Sequence, residues 1–263
     1  MNAASTESSL VAFEISDGIG VLTLNNPKRR NALSTQVLKT LKAYLDEIAE
    51  STEVRVVVIA AAGPVFSSGH DLAELLQGEE DEHAALFKLC TTAMEMIRLM
   101  PQPVIAQVQG MATAAGCQLV ASCDLAVAAQ SAKFATPGVR NGLFCTTPGV
   151  ALARAVPRKK AMEMLLTGIP ISANEALQYG LVSRVVPDDE LEQQTIDLAQ
   201  HIAKASAHTL SMGKRGFYAQ VGLDNPDAYA VAEIVMTENM QTHDAHEGID
   251  AFLTKREPEW QDR

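Results

Sequence analysis

The stretch VIAQVQGMATAAGCQLVASCDLAVAA, Val104 to Ala129, decides the fold class. Val104–Val108 is a short continuous apolar run, the pattern of a strand covered on both faces. Gly110–Gly116 follows as a loop of small residues, Ala114–Ser122 as the start of a buried helix, and Leu125–Ala129 as a second buried strand. Strand, helix and strand in that order form the crossover unit of an α/β core rather than of a sandwich or a bundle.

Upstream, Val54–Ala60 repeats the buried-strand pattern. Val11–Ser16 and Ile19–Asn25 are separated by Asp17-Gly18, whose residues accept the positive φ of a two-residue hairpin turn. Pro27 ends the second strand, and Ser34 caps a helix with apolar residues Val37, Leu38, Leu41, Leu45 and Ile48 at helical spacing. Asp71-Leu-Ala-Glu74 has the capping-box pattern of a short helix closed by Gly78. A longer helix, about residues 83–100, stops at Pro101. Downstream the pattern is mostly helical. Ser172-x-x-Glu175 is a second capping box, Gly180 closes its helix, and Leu181–Val186 reads as a last strand. Residues 188–252 read as helix interrupted near Gly213, Gly222 and Pro226. The expectation is an α/β core over residues 1–190 and a helical segment over 191–263.

Composition limits the function. The chain has 263 residues, a formal charge of −11, 47% hydrophobic and 20% charged residues. Such a chain is globular rather than disordered. An acidic balance with no basic block argues against nucleic-acid binding, which needs a cationic face. No window is long and apolar enough for a membrane span. Met1–Ser9 reads as a frayed polar tail without the basic chemistry of a leader. Cys90, Cys117, Cys123 and Cys145 form no C-x-x-C pair and no disulfide framework. These features give the expectation of a soluble, cytoplasmic protein of a reducing compartment.

Several motifs are excluded. Gly18-Ile-Gly20 opens a strand and lacks the third glycine of a dinucleotide fingerprint, and no G-x-S-x-G marks a hydrolase elbow. His243, His246 and Glu247 read as a solvated helix face rather than a metal clasp, so no metal is expected. Two small-residue turns carry the chemistry: Phe66-Ser67-Ser68-Gly69-His70-Asp71 and Gln109 to Gln118. Each enters a helix, where backbone N–H groups lack internal partners. Two such starts facing one point would hold an oxyanion; close packing of turns is the plainer alternative.

These turns, with Val21–Pro27, Asn31-Ala32-Leu33, Phe134-Ala-Thr-Pro137, Leu166-Thr-Gly168, Ala176–Val186 and Gly248–Pro258, resemble the crotonase (enoyl-CoA hydratase/isomerase) superfamily in order along the chain. The resemblance implies a spiral of ββα units with a helical C-terminal trimerisation segment, assembled as a homotrimer or dimer of trimers. It implies an acyl-CoA thioester ligand, with coenzyme A part of the substrate and no separate cofactor. It places the N–H groups of His70 and Ala115 in an oxyanion hole. Lys28, Arg29, Arg30, Ala32, Ser67 and Ser68 fall at coenzyme A positions, Phe252 and Lys255 near the adenine end. The cationic cluster at 28–30 suits phosphate, although solvated surface charge explains it too. Leu75, Gly138, Phe144 and Cys145 fall on the acyl pocket, and Asp71 reads as a helix cap.

Two departures bear on the reaction. The positions of the paired catalytic glutamates fall on Gln118 and Gly138. An amide orients water but exchanges no proton near neutrality, and glycine has no side chain. Three functions stay open. One is an enzyme relying on its oxyanion hole, including a decarboxylase of malonyl-type thioesters, which Gly69-His70-Asp71 resembles. A tyrosine of those decarboxylases matches Cys145 here. Another is hydration or isomerisation with substitute groups, His70 foremost. The last is an acyl-CoA-binding protein without catalysis.

Overall fold

The computed structural model describes residues 9–263; residues 1–8 of the expected tail lie outside the described part. A hairpin opens the chain, β1 (Val11–Ser16) antiparallel to β2 (Ile19–Leu24), with Asp17 and Gly18 both at positive φ. Then come α1 (Thr35–Ala49), β3 (Val56–Ala61), α2 (Leu72–Gln77), α3 (Glu80–Leu99), β4 (Val104–Val108), β5 (Met111–Thr113) and α4 (Ala115–Ser122). The core continues with β6 (Leu125–Ala129), β7 (Lys133–Ala135), α5 (Thr146–Ala155), α6 (Arg158–Thr167), β8 (Ile171–Ser172), α7 (Ala173–Tyr179) and β9 (Arg184–Val186). Four helices follow: α8 (Leu191–Ala203), α9 (Ala207–Gln220), α10 (Asn225–Asn239) and α11 (His243–Thr254).

The larger sheet runs β1-β2-β3-β4-β6-β9, parallel from β2 onward; the smaller runs β5-β7-β8. β3, β4 and β6 are buried on both faces, which is why each reads as an unbroken apolar run. Isolated parallel bridges, Leu33 to His70 and Ser67 to Ala112, extend the small ladder. Each unit therefore gives one strand to the large sheet, a short extended segment to the small ladder, and then a helix. That is a ββα spiral on an α/β core.

Several local readings change. β5, β7 and β8 are two or three residues long, too short for a periodic signal, and β5 lies inside what reads as a loop. The last strand shortens to Arg184–Val186 because the amides of Leu181 and Val182 turn back to the Ala176 carbonyl. Gly213 lies within α9, since one glycine weakens a helix by about 1 kcal/mol without stopping it. The break expected near Gly222 and Pro226 does fall between α9 and α10, and further breaks fall where Ser206 and Thr242 cap α9 and α11. Asp71 caps α2, but Glu74 leaves the expected box and accepts the Thr35 amide at the start of α1. α8 packs on β2, β3, β4 and β6, so a division at residue 190 runs through the core, and the helical projection begins at α9.

Candidate active site

The two small-residue turns meet. The Ser67 amide donates to the Met111 carbonyl and the Thr113 amide to the Ser67 carbonyl, zipping residues 66–70 alongside β5. Glycines then set the closeness. Gly69, at φ +87°, has no room for a Cβ, which would stand 2.9 Å from the Ala114 Cβ and 3.2 Å from the Ala115 nitrogen. Gly116 is reciprocal: a Cβ there would lie 2.5 Å from the Ser67 carbonyl oxygen. Ala114 holds φ +50° and ψ −119°, a strained conformation for a residue with a side chain, and its amide donates to Ala135 on β7.

Among the main-chain donors of these turns that find no acceptor among the described residues are His70 N–H and Ala115 N–H. Ala115 is the first residue of α4, where the helix supplies no partner. It is also 0% exposed, so its donor is closed to bulk water.

The His70 ring is wedged edge-on to Phe87 at 5.6 Å between centroids. Its Nδ1 lies 3.2 Å from the Leu33 carbonyl, which fixes the Nδ1–H form and leaves Nε2 as an acceptor, buried and without a partner. Burial lowers its pKa, partly offset by Leu33 and Glu74. His70 is therefore neutral at pH 7, poised to accept a proton rather than give one. The unfolded chain binds that proton more readily, so His70 favours the fold fully above its ordinary value of 6.5, and this is lost as pH falls below it. Thermal unfolding at about pH 7.5 and about pH 5.5 should show a smaller acid loss in His70→Gln than in the parent. An equal loss would sink the assignment.

The wall expected to hold carboxylates is neutral. Gln118 is 5% exposed and its Oε1 finds no partner. It faces a cleft whose lining includes none of His70, Ala115, Gly138 or Cys145. Gly138 is pinned: its amide donates to Cys145 Sγ at 3.3 Å, and a Cβ there would lie 2.7 Å from that sulfur. Burial raises the Cys145 pKa, so the thiol stays protonated, against a nucleophilic role. Leu75 is half-buried on α2, and Phe144 is exposed beside Cys145.

The expected coenzyme A residues divide. Lys28, Arg29 and Arg30 are exposed on the turn after β2, but Arg29 is held by Asp71 at 2.7 Å, which keeps the Asp71 carboxyl below its usual range. Ser67 is engaged within the chain. Its hydroxyl donates to the Asn31 carbonyl and accepts the Gly69 amide, and both its backbone groups are engaged, so it is a buried brace. Ser68 is half-buried, and Ala32 is buried with its carbonyl bonded to Ser34. Phe252, 82% exposed, lines a separate groove with Met240, Ile249 and Trp260; Lys255 caps α11 nearby. The groove that Phe252 lines includes none of residues 28–32.

Asn31 was not singled out as a site residue, yet it organises the loop. Its side chain accepts the Asn26 amide and donates to Ala62 and Val65 carbonyls, from a buried left-handed conformation. The αL tolerance of asparagine after a proline turn was the available signal. Thr136, fully buried with an unpartnered hydroxyl, gave none. His243 and His246 bond Asp244 and the Met240 carbonyl separately and do not converge. No helix among the described residues is long and apolar enough to cross a membrane.

A ββα spiral with two unpaired amides at touching glycine turns defines a crotonase-type protein, and this chain belongs to the enoyl-CoA hydratase/isomerase family, whose profile matches residues 14–263. Human enoyl-CoA hydratase domain-containing protein 3, mitochondrial, is 54% identical over 93% of this chain and 81% of its own length. The mouse protein of that name is 51% identical over 97% of this chain and 85% of its own. The human protein's crystal structure superposes with a TM-score of 0.93 at 54% identity, covering 95% of this chain and 99% of that one. An enoyl-CoA hydratase structure from Mycobacterium smegmatis gives 0.93 at 46% identity, covering 95% and 98%. The cytoplasmic expectation is overturned, because the vertebrate relatives at about half identity are named mitochondrial. Charge balance and unpaired cysteines do not separate one reducing compartment from another.

Proposed function

We propose that this family member is an acyl-CoA enzyme that stabilises a thioester enolate with the N–H groups of His70 and Ala115. The observation that carries this reading is the pair of acceptor-less amides held together by Gly69 and Gly116. Removing one such donor typically costs about 2.7–4 kcal/mol of transition-state stabilisation. Lys28 and Arg30 are the cations for coenzyme A phosphates, and the acyl group lies toward Leu75, Phe144 and Cys145. Acetoacetyl-CoA tests the reading directly, because its enolate absorbs in the near ultraviolet. Binding at pH 7 should raise that absorbance; acetoacetyl-CoA that binds with none of this increase, or fails to bind, removes the proposal.

Within that reading, decarboxylation of a malonyl-type thioester is favoured by the neutral wall of Gln118, Gly138 and protonated Cys145. Cleavage of the carbon–carboxylate bond releases CO₂ and leaves its electron pair as the enolate, so no base is required. The α-carbon then takes a proton from water, since neutral His70 has its Nε2 free as an acceptor. Two-carboxylate hydration lacks both of its acids here. The apolar side chains exposed on α10, which buries none of its residues, suit burial in a homotrimer or dimer of trimers, decided by mass in solution.

A further inference from the structure

The turn after β2 and the turn that carries His70 are laced together in register. The Ser67 hydroxyl donates to the Asn31 carbonyl at 2.9 Å, and the Ser68 amide donates to the Arg30 carbonyl at 3.0 Å. The Leu33 amide donates to the Gly69 carbonyl at 2.8 Å. That last bond bears on the oxyanion donor itself. The Gly69 carbonyl and the His70 N–H belong to one planar trans peptide group, so fixing the carbonyl aims the N–H the opposite way. The Leu33 carbonyl meets Nδ1 of the same histidine at 3.2 Å.

Arg29 closes the lacing on the other side of that peptide. Its Nη2 donates to Asp71 Oδ2 at 2.7 Å, while Asp71 Oδ1 accepts the Ala73 amide at 3.0 Å and so caps α2. The His70 N–H thus sits between two anchors, Leu33 acting on Gly69 and Arg29 acting on Asp71. The Asp71 side chain is 16% exposed and that of Arg29 is 58% exposed. A guanidinium carries five N–H donors, and the bond to Asp71 is the one side-chain hydrogen bond Arg29 makes among the described residues. An exposed pair of this kind is weak by itself and screened by salt. A phosphate on the free edge of the fork would hold the guanidinium from both ends with charged hydrogen bonds.

We infer that Arg29 and Asp71 are positioning residues that couple the nucleotide phosphates of coenzyme A to the oxyanion peptide. Arg29 takes a phosphate on its free donors while keeping Asp71, and the tightened pair steadies Asp71 and the His70 N–H beside it. Binding energy gathered at the far end of the substrate is thereby used to orient a donor at the reacting carbonyl. The inference rests on the acyl-CoA reading above and adds how that site tells a coenzyme A ester from a shorter thioester.

Acetoacetyl-CoA and S-acetoacetyl-pantetheine, which lacks the nucleotide and its phosphates, test it on the intact protein. The readout is the near-ultraviolet enolate absorbance per bound ester, with bound ester counted by ultrafiltration. The coenzyme A ester should show an enolate-to-keto ratio about tenfold above that of the pantetheine ester, the scale of one charged hydrogen bond. Asp71→Ser keeps a helix cap but is too short to reach Arg29. It should bring the coenzyme A ester down to the pantetheine level and lower the pantetheine ester far less, whereas a general loss of structure lowers both alike. Arg29→Gln should act in the same way, and the double variant should lose no more than either single one. Equal ratios for the two esters in the parent, a difference that survives Asp71→Ser, or an equal fall in both overturns the coupling while leaving the enolate reading intact. Tighter binding of acetoacetyl-CoA by Asp71→Ser with undiminished absorbance also overturns it, because Asp71 would then compete with the phosphate for Arg29. Absence of enolate absorbance from both esters overturns the enolate reading and the coupling with it.

Discussion

Replacing Ala115 with proline is expected to lower turnover of an acyl-CoA thioester by about 10²–10³-fold while the protein stays folded. Proline at most helix positions would break the element. Ala115, however, is the first residue of α4, the position where proline's fixed φ fits and its missing N–H takes no hydrogen bond from the helix. The substitution deletes the proposed oxyanion donor, and because its ring also loads the strained Ala114 peptide and the close contact with Gly69, some loss of stability accompanies it. Ala115→Gly keeps the N–H and is the matched control. Circular dichroism and thermal unfolding establish that the proline variant is native, and the acetoacetyl-CoA absorbance reports the enolate directly. A folded proline variant with full turnover and full absorbance means that the carbonyl oxygen is held elsewhere.

Gly116→Ala should do the larger damage to stability. The added methyl would stand 2.5 Å from the Ser67 carbonyl oxygen, 2.7 Å from its Cβ and 2.9 Å from its hydroxyl. None of these atoms is the loose end of a flexible side chain. Ser67 is fixed through Asn31, Gly69, Met111 and Thr113, so it yields only if the whole 66–70 segment moves off β5. Overpacking of this kind costs about 1–3 kcal/mol, or more when backbone must shift. At about 2–4 °C per kcal/mol for a domain near this size, the melting temperature should drop by several degrees. The same shift parts His70 from Ala115, so turnover should fall in the folded fraction as well. An alanine variant with parental stability would show that the two turns are less tightly fixed than their contacts indicate.

The sequence carried the layers well and the site unevenly. β3, β4 and β6 announce themselves because strands covered on both faces need unbroken apolar runs, and Asp17-Gly18 announces its hairpin because few residue pairs accept two positive φ angles. β5 and β7 leave no such trace, although they hold the site together, because three residues give no period. Among site residues, Gly69 and Gly116 were legible as small-residue turns, and their reciprocal contact is what the fold adds. The bracing role of Ser67 is not legible in the sequence, because motif position says nothing about whether a hydroxyl is already spent on its neighbours. Phe252 and Lys255 rest on their position in the chain's tail alone, and the groove that Phe252 lines includes none of residues 28–32.

The contact between Gly138 and Cys145 imposes an order on any route back to a two-acid wall. Glutamate introduced at 138 first would drive its β-carbon into a sulfur 2.7 Å away and the Leu143 carbonyl oxygen 2.9 Å away. Trimming Cys145 removes the sulfur but not that carbonyl, so the 138–145 loop must also be rebuilt before a second acid fits. A laboratory lineage selected for hydration would have to cross that sequence of steps, and Gln118→Glu alone supplies only one of the two acids.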